Sequence, residues 1–196
     1  IVPGFMDGHT HFLDGGFQLA SVDLRTADTP EEFTARIAAF AAERKPGEWI
    51  LGGDWDHERW PGTPLPTKEW IDSVTPNNPV FVNRLDGHMA VANSAALRAA
   101  GITKASKDIP GGEIVRDPRT GNPTGLLKDN AMGPVYGAMP APTEAQRDAA
   151  LARAVAFAAS KGVTAVNFMS APTSSLGAFQ RARAAGTLTV RTKMFF

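Results

Sequence analysis

The sequence predicts an α/β fold in which helices cover both faces of a parallel sheet. Three observations point there. Apolar, strand-like segments alternate with amphipathic helical segments along most of the chain. The strand segments are continuously apolar rather than alternating, as strands buried on both faces are. Each of the first four strands also runs out into a polar cluster, at the strand ends where parallel α/β proteins keep their sites. Five such strands joined by right-handed βαβ units fit either a doubly wound sheet or part of a (β/α)8 barrel of the TIM type. No Gly-x-Gly-x-x-Gly follows the first strand, which weakens the dinucleotide-binding version of the doubly wound sheet.

The first strand has an apolar lead-in (Ile1, Val2, Phe5, Met6) and ends in Asp7-Gly8-His9-Thr10-His11. Residues i and i+2 share one face of a strand, so His9 and His11 project the same way, about 7 Å apart at their Cα atoms. Two imidazoles can meet on one ion from there, at zinc–nitrogen distances of about 2.0–2.1 Å. Asp7 lies on the same face, as a third oxygen or a supporting partner. The competing reading is two histidines in a polar surface loop; the apolar lead-in and the flanking Pro and Gly favour a strand end.

A Gly-rich loop (Gly15, Gly16) leads to a helix that starts at Thr29 as N-cap, with Pro30 at N1 and Glu32 completing a capping box. Phe33, Ile37, Phe40 and Ala41 give it one buried face. The second strand, Trp49 to Gly53, exits through Asp54-Trp55-Asp56-His57. Solvated loop carboxylates above a packed Trp55 are the plain reading of Asp54 and Asp56, and His57 beside Glu58 and Arg59 reads as an exposed loop residue. After a short helix carrying Trp70, Ile71 and Val74, capped at Thr67, comes the third strand, Pro79 to Leu85. It leaves through Asp86-Gly87-His88, and His88 is open between structural hydrogen bonding and a contact to substrate or metal. Asn93 or Ser94 caps the next helix, with Gly101 as its stop.

Residues 103–142 break the rhythm and read as an insertion. Within it, Gly111–Asp117 and Pro123–Leu127 form two short strands around a hairpin loop. Helical order resumes with a capping box at Thr143 to Gln146 and runs to Gly162. A strand, Val163 to Phe168, follows and ends near Asn167 and Ser170; then come a helix around Leu176, Phe179 and Ala182 and a final strand into Phe196.

Composition bounds the partners. The 196 residues carry 43% hydrophobic side chains, enough for a real core in one domain or part of a larger one. Lys+Arg and Asp+Glu balance at 20 each, which argues against nucleic acid and against a strongly charged partner. The absence of cysteine excludes disulfides, Cys–zinc sites and Cys nucleophiles. No run approaches the roughly 20 apolar residues of a membrane span, and no leader is read, so a cytoplasmic protein is expected. Both ends fall within strands, so the chain is expected to be a piece of a longer protein.

Val2-Pro3-Gly4-Phe5-Met6-Asp7-Gly8-His9-Thr10-His11 resembles the PGF-x-D-x-H-x-H opening of metal-dependent amidohydrolases. Further segments resemble one branch, amidohydrolase family 3, the YtcJ-like group. They are Gly52-Gly53-Asp54-Trp55-Asp56, Asp86-Gly87-His88 with Asn93-Ser94-Ala95-Ala96-Leu97, Gly111 to Asp117, and Pro123-Thr124-Gly125, all in the expected order. The resemblance implies a (β/α)8 hydrolase barrel of which this chain is the first part. It implies His9 and His11 as ligands of one or two divalent metals, zinc by preference, with hydrolysis of an amide-type carbon–nitrogen bond in a small molecule. Trp55, Asp56 and His88 are then expected on the substrate side. The proton-transferring Asp and the other ligands are expected on later strands. Lys193 lies on the last strand present, but family segments of this shape usually precede the ligand strand. A partial barrel leaves open sheet edges, so the remainder of the barrel or a second chain, as in a homo-oligomer, is an expected partner. Two other readings stay open: a non-catalytic remnant or interaction module, and a doubly wound binder of an anionic small molecule.

Overall fold

The computed structural model describes residues 3–196, so Ile1 and Val2 of the expected lead-in lie outside the described residues. The chain divides into two compact units, Ile1–Ala20 with Ala141–Phe196, and Ser21–Pro140.

In the first unit β1 (Phe5–Thr10), β8 (Val163–Phe168) and β9 (Arg191–Met194) form a parallel sheet in the order β1-β8-β9. Three helices belong to it: α1 (Phe12–Gln18), α6 (Glu144–Ser160) and α7 (Leu176–Ala184). Phe12, Leu13, Leu151, Val155, Val166, Phe168 and Phe179 are central to its core. Helix α6 begins on the expected capping box: Thr143 Oγ1 accepts from the Gln146 N–H at 3.2 Å and Gln146 Oε1 accepts from the Thr143 N–H at 2.8 Å. The Gly15-Gly16 stretch, expected as loop, lies inside α1. A Cβ at Gly16 would stand 2.0 Å from the carbonyl oxygen of Ala150, so only glycine allows α1 this close to α6. Packing here overrides glycine's poor helix propensity.

The second unit is a six-stranded mixed sheet. Its strands are β2 (Val22–Asp23), β3 (Ile50–Trp55), β4 (Val80–Arg84), β5 (Met89–Ala92), β6 (Gly112–Arg116) and β7 (Pro123–Asp129), in the order β2-β3-β4-β5-β7-β6. Strands β2, β3 and β4 are parallel, while β5, β7 and β6 pair antiparallel. Helices α2 (Pro30–Ala42), α3 (Glu69–Asp72), α4 (Ser94–Ala99) and α5 (Gly133–Ala138) complete the unit. Thr29 caps α2 as expected, its side chain accepting from the Glu32 N–H at 3.1 Å, whereas the Glu32 carboxylate accepts from the N–H of Asp28 rather than that of Thr29. Helix α3 is shorter than expected: Val74 lies beyond it, and Lys68 rather than Thr67 holds its N-cap position.

The five strands read from the sequence therefore do not form one sheet. The first, fourth and fifth (β1, β8, β9) share one sheet, and the second and third (β3, β4) belong to the other. The reason lies at the end of β4. Residues 85–88 turn the chain back, with Gly87 at φ 75°, and the four-residue β5 continues the sheet antiparallel to β4. A segment as short as Met-Ala-Val-Ala has too little periodicity to be read as a strand. The β6–β7 hairpin is where the sequence put it, and it joins the sheet through β5–β7 pairing. Strand β1 also differs from the expected buried strand: as an edge of its sheet it leaves Phe5 65% and Met6 73% exposed.

Candidate metal and substrate residues

Strands β1 and β8 run parallel, so their carboxyl ends lie side by side. Thr10 Oγ1 donates to the carbonyl of Asn167 at 2.9 Å, Asn167 Nδ2 donates to the carbonyl of Gly8 at 3.2 Å, and the Met169 N–H donates to the carbonyl of Thr10 at 2.8 Å. The ladder is irregular between Asp7 and Thr10: three steps on β1 match two on β8, a bulge that holds Gly8 and His9. The bulge breaks the simple alternation, and His11 lies past the strand as the residue before α1. The two imidazoles still meet. Their ring centres are 5.7 Å apart, edge to face, and both residues are exposed. Imidazole nitrogens on one tetrahedral zinc put ring centres about 5 Å apart, close to the separation of this pair. Asp7 is spent locally, its Oδ1 accepting from the His9 N–H at 3.0 Å, which fixes the backbone that carries the ring. Among the described residues no group of three or more His, Asp or Glu side chains could hold a metal. The ammonium of Lys193 sits 4.8 Å from the centre of the Phe195 ring.

In the second unit, β3 ends in an unusual backbone. Gly52, Gly53 and Asp54 have φ of 92°, 109° and 57°, and Asp54 is the extra residue between the Gly53–Asn83 and Trp55–Arg84 pairs. Both glycines are needed: a Cβ at Gly52 would meet Ser21 Oγ at 2.1 Å, and both positions have the left-handed φ that glycine tolerates. Asp54 Oδ1 accepts from Asn83 Nδ2 at 2.9 Å. Trp55 follows, wholly enclosed. Its indole N–H donates to the carbonyl of Val82 at 2.9 Å, and its ring packs on Phe33, Trp60 and His57. It presents no surface in this unit. His57, expected as exposed, is half-buried at the start of a 3-10 turn, because its ring lies edge-on to Trp55.

Asp56 caps that turn, accepting from the Glu58 N–H at 3.2 Å, and reaches Arg84 at 3.4 Å. Arg84, with a side chain 12% exposed, also meets Glu58 at 2.8 Å and Asp86 at 2.6 Å. Burial opposes its charge, but Asp86, Glu58 and Asp56 outweigh it and raise its pKa further. Burial likewise works against the Asp86 carboxylate, and the His88 N–H together with Arg84 still holds it below the usual carboxylate range. His88 follows, its Nδ1 2.7 Å from Asp129 Oδ1. That hydrogen bond, helped by the charges of Asp129 and Asp86, raises the imidazole pKa above its ordinary 6.5. Asp56, Arg84, Asp86, His88 and Asp129 thus form one continuous polar chain along the ends of β3, β4, β5 and β7. The sequence reading missed Arg84 and Asp129. A lone arginine closing an apolar strand was a usable signal for Arg84; only the register of the non-consecutive β5–β7 pair could bring Asp129 opposite His88.

The model of the family described as "Amidohydrolase family" matches residues 1–193. The chain belongs to the amidohydrolase family. It is 44% identical over 166 residues to Protein LONG AFTER FAR-RED 3 of Arabidopsis thaliana, covering 85% of this chain and 28% of that protein. It is 32% identical over 162 residues to the putative amidohydrolase YtcJ of Bacillus subtilis (83% and 30%). Identity to the N-substituted formamide deformylase of Arthrobacter pascens is 36% over 140 residues (70% and 26%). Among solved structures, an uncharacterized metal-dependent hydrolase from Pyrococcus horikoshii OT3 superposes with a TM-score of 0.72 at 26% identity, over 98% of this chain and 36% of that one. The chain thus spans about three-tenths of the length of these curated relatives. The YtcJ-like resemblance is borne out, and so is the α/β class, as a mixed α/β fold that matches metal-dependent hydrolase structures.

Proposed function

We propose that the amidohydrolase containing this chain hydrolyses an amide-type carbon–nitrogen bond of a small molecule, with His9 and His11 as two ligands of a divalent metal, zinc by preference. The observation that carries the reading is the convergence of the two imidazoles at the carboxyl end of a parallel strand, 5.7 Å apart. A relative that is an N-substituted formamide deformylase supports the bond type, and a structural neighbour described as a metal-dependent hydrolase supports the metal. The β1-β8-β9 sheet and its helices are read as βα units of a (β/α)8 barrel, whose remaining strands cover the exposed edge residues Phe5 and Met6.

The residues of this chain have distinct tasks in that reading. His9 and His11 offer ring nitrogens as metal donors, and Asp7 holds the backbone bulge that carries His9. A divalent ion bound by His9 and His11 would supply Lewis acidity, lowering the pKa of water towards neutral. Asp56 and His88 stand on the substrate side, with Arg84 between their loops neutralising the carboxylates. Trp55 takes no direct part: its buried ring anchors the strand end that carries Asp54 and Asp56. Metal content and turnover of a His9→Ala/His11→Ala variant of the full-length protein test the reading, and both should fall together.

A further inference from the structure

His88 is held from three directions. Its N–H donates to Asp86 Oδ1 at 3.0 Å, its carbonyl accepts from the Asp129 N–H at 3.0 Å, and its Nδ1 lies 2.7 Å from Asp129 Oδ1. Asp129 is the last residue of β7, one step beyond the Met89–Lys128 pair, and so lies directly across from His88. Its backbone is at φ 46° and ψ −124°, a region that glycine enters freely and residues with a Cβ avoid. Glycine would be the relaxed choice, yet an aspartate stands there with its carboxylate on the imidazole. Strain of this kind persists where the surroundings enforce it, and it marks positions with a task.

We propose that Asp129 is a positioning residue for His88, fixing its Nδ1–H tautomer and ring plane so that Nε2 is the atom offered to substrate. The proposal rests on the reading of His88 as a substrate-side residue. With Nδ1–H donating to the carboxylate, Nε2 is an acceptor when the ring is neutral and a donor when it is protonated. His88 has a side chain 74% exposed, and Nε2 carries no hydrogen bond among the described residues. The charged groups around it are Asp129, Asp86 with its partner Arg84, and Lys128, which is paired with Glu113. With two carboxylates against one imidazole, the site disfavours an anionic substrate group. It suits a neutral amide oxygen or a leaving amine.

The test is imidazole ¹H–¹⁵N correlation spectroscopy of the chain across pH, in the unmodified protein and in Asp129→Asn and Asp129→Gly. In the unmodified protein His88 should be the Nδ1–H tautomer and titrate above an ordinary histidine. Both variants should shift the titration down and lose the tautomer bias. Above the pH at which His88 titrates, Asp129→Gly should melt no lower than the parent, because the backbone relaxes, and it keeps the test available should Asp129→Asn fail to fold. An unchanged tautomer and titration in the variants overturn the proposal. Because the readout needs neither metal nor turnover, its failure is distinguishable from a failure of the metal reading.

Discussion

Asn93 is 1% exposed, and both ends of its side-chain amide are hydrogen-bonded. Its Oδ1 accepts from the N–H groups of Val80 and Ala96 at 3.0 and 2.9 Å, and its Nδ2 donates to Thr75 Oγ1 and the Asn78 carbonyl at 2.9 and 2.8 Å. It caps α4 and ties that helix to the start of β4. The Asn-Ser motif is thus a structural hub and not a ligand. Asn93→Ala leaves the Val80 N–H buried without a partner and removes a cap, together worth about 2–4 kcal/mol. Urea denaturation should show that loss; a change below about 0.5 kcal/mol contradicts the role. His88 gives the pH dependence. Its folded pKa is raised above 6.5 by Asp129, so the pair's contribution to stability is full below that value and is lost as pH rises through the folded pKa. The difference in melting temperature between the parent and Asp129→Asn should therefore shrink from pH 5.5 to pH 9. A constant difference would mean that the charge on His88 plays no part.

At the scale of elements, the helix starts were legible because capping chemistry is local: Thr29, Asn93 and Thr143 all accept from N–H groups three residues on. The strands β3, β4 and β8 were legible from their apolar residues, Ile50-Leu51, Val80-Phe81-Val82 and Ala165-Val166 among them. Sheet membership was not, because it depends on pairings such as β1 with β8, more than 150 residues apart, that no local pattern carries. Trp55 shows the same limit within one residue. Its neighbours marked a strand end, but whether a tryptophan there faces substrate or core depends on Phe33, Trp60 and Val82 from elsewhere in the chain. The exposed edge strand β1 carries its own prediction. Phe5 and Met6 on an edge with free backbone groups are a template for pairing. The isolated 196 residues should self-associate with rising concentration in sedimentation velocity, and a monomer at all concentrations contradicts the assignment of this edge to further barrel strands.

For the whole molecule, the family is settled by a match over residues 1–193, while the chemistry rests on a small part of the chain. His9 and His11 were legible as a pair because a two-residue spacing is itself a geometric statement, and the structure brings their rings together despite the bulge that interrupts the strand. The polar chain from Asp56 to Asp129 was legible only in pieces, since Arg84 and Asp129 join it through the antiparallel turn after β4. No helix among the described residues is long and apolar enough to cross a membrane. The central claim is that the His9–His11 pair holds a divalent ion on which hydrolysis depends. The most direct measurement is the metal content of the purified full-length protein beside its His9→Ala/His11→Ala variant, with turnover of an amide-type substrate that the parent hydrolyses followed in parallel. The account predicts bound zinc or a similar divalent metal in the parent and its loss in the variant, with turnover reduced at least about a hundredfold, as expected when a metal-activated water is lost. Full metal content and an unchanged rate in the variant would contradict it.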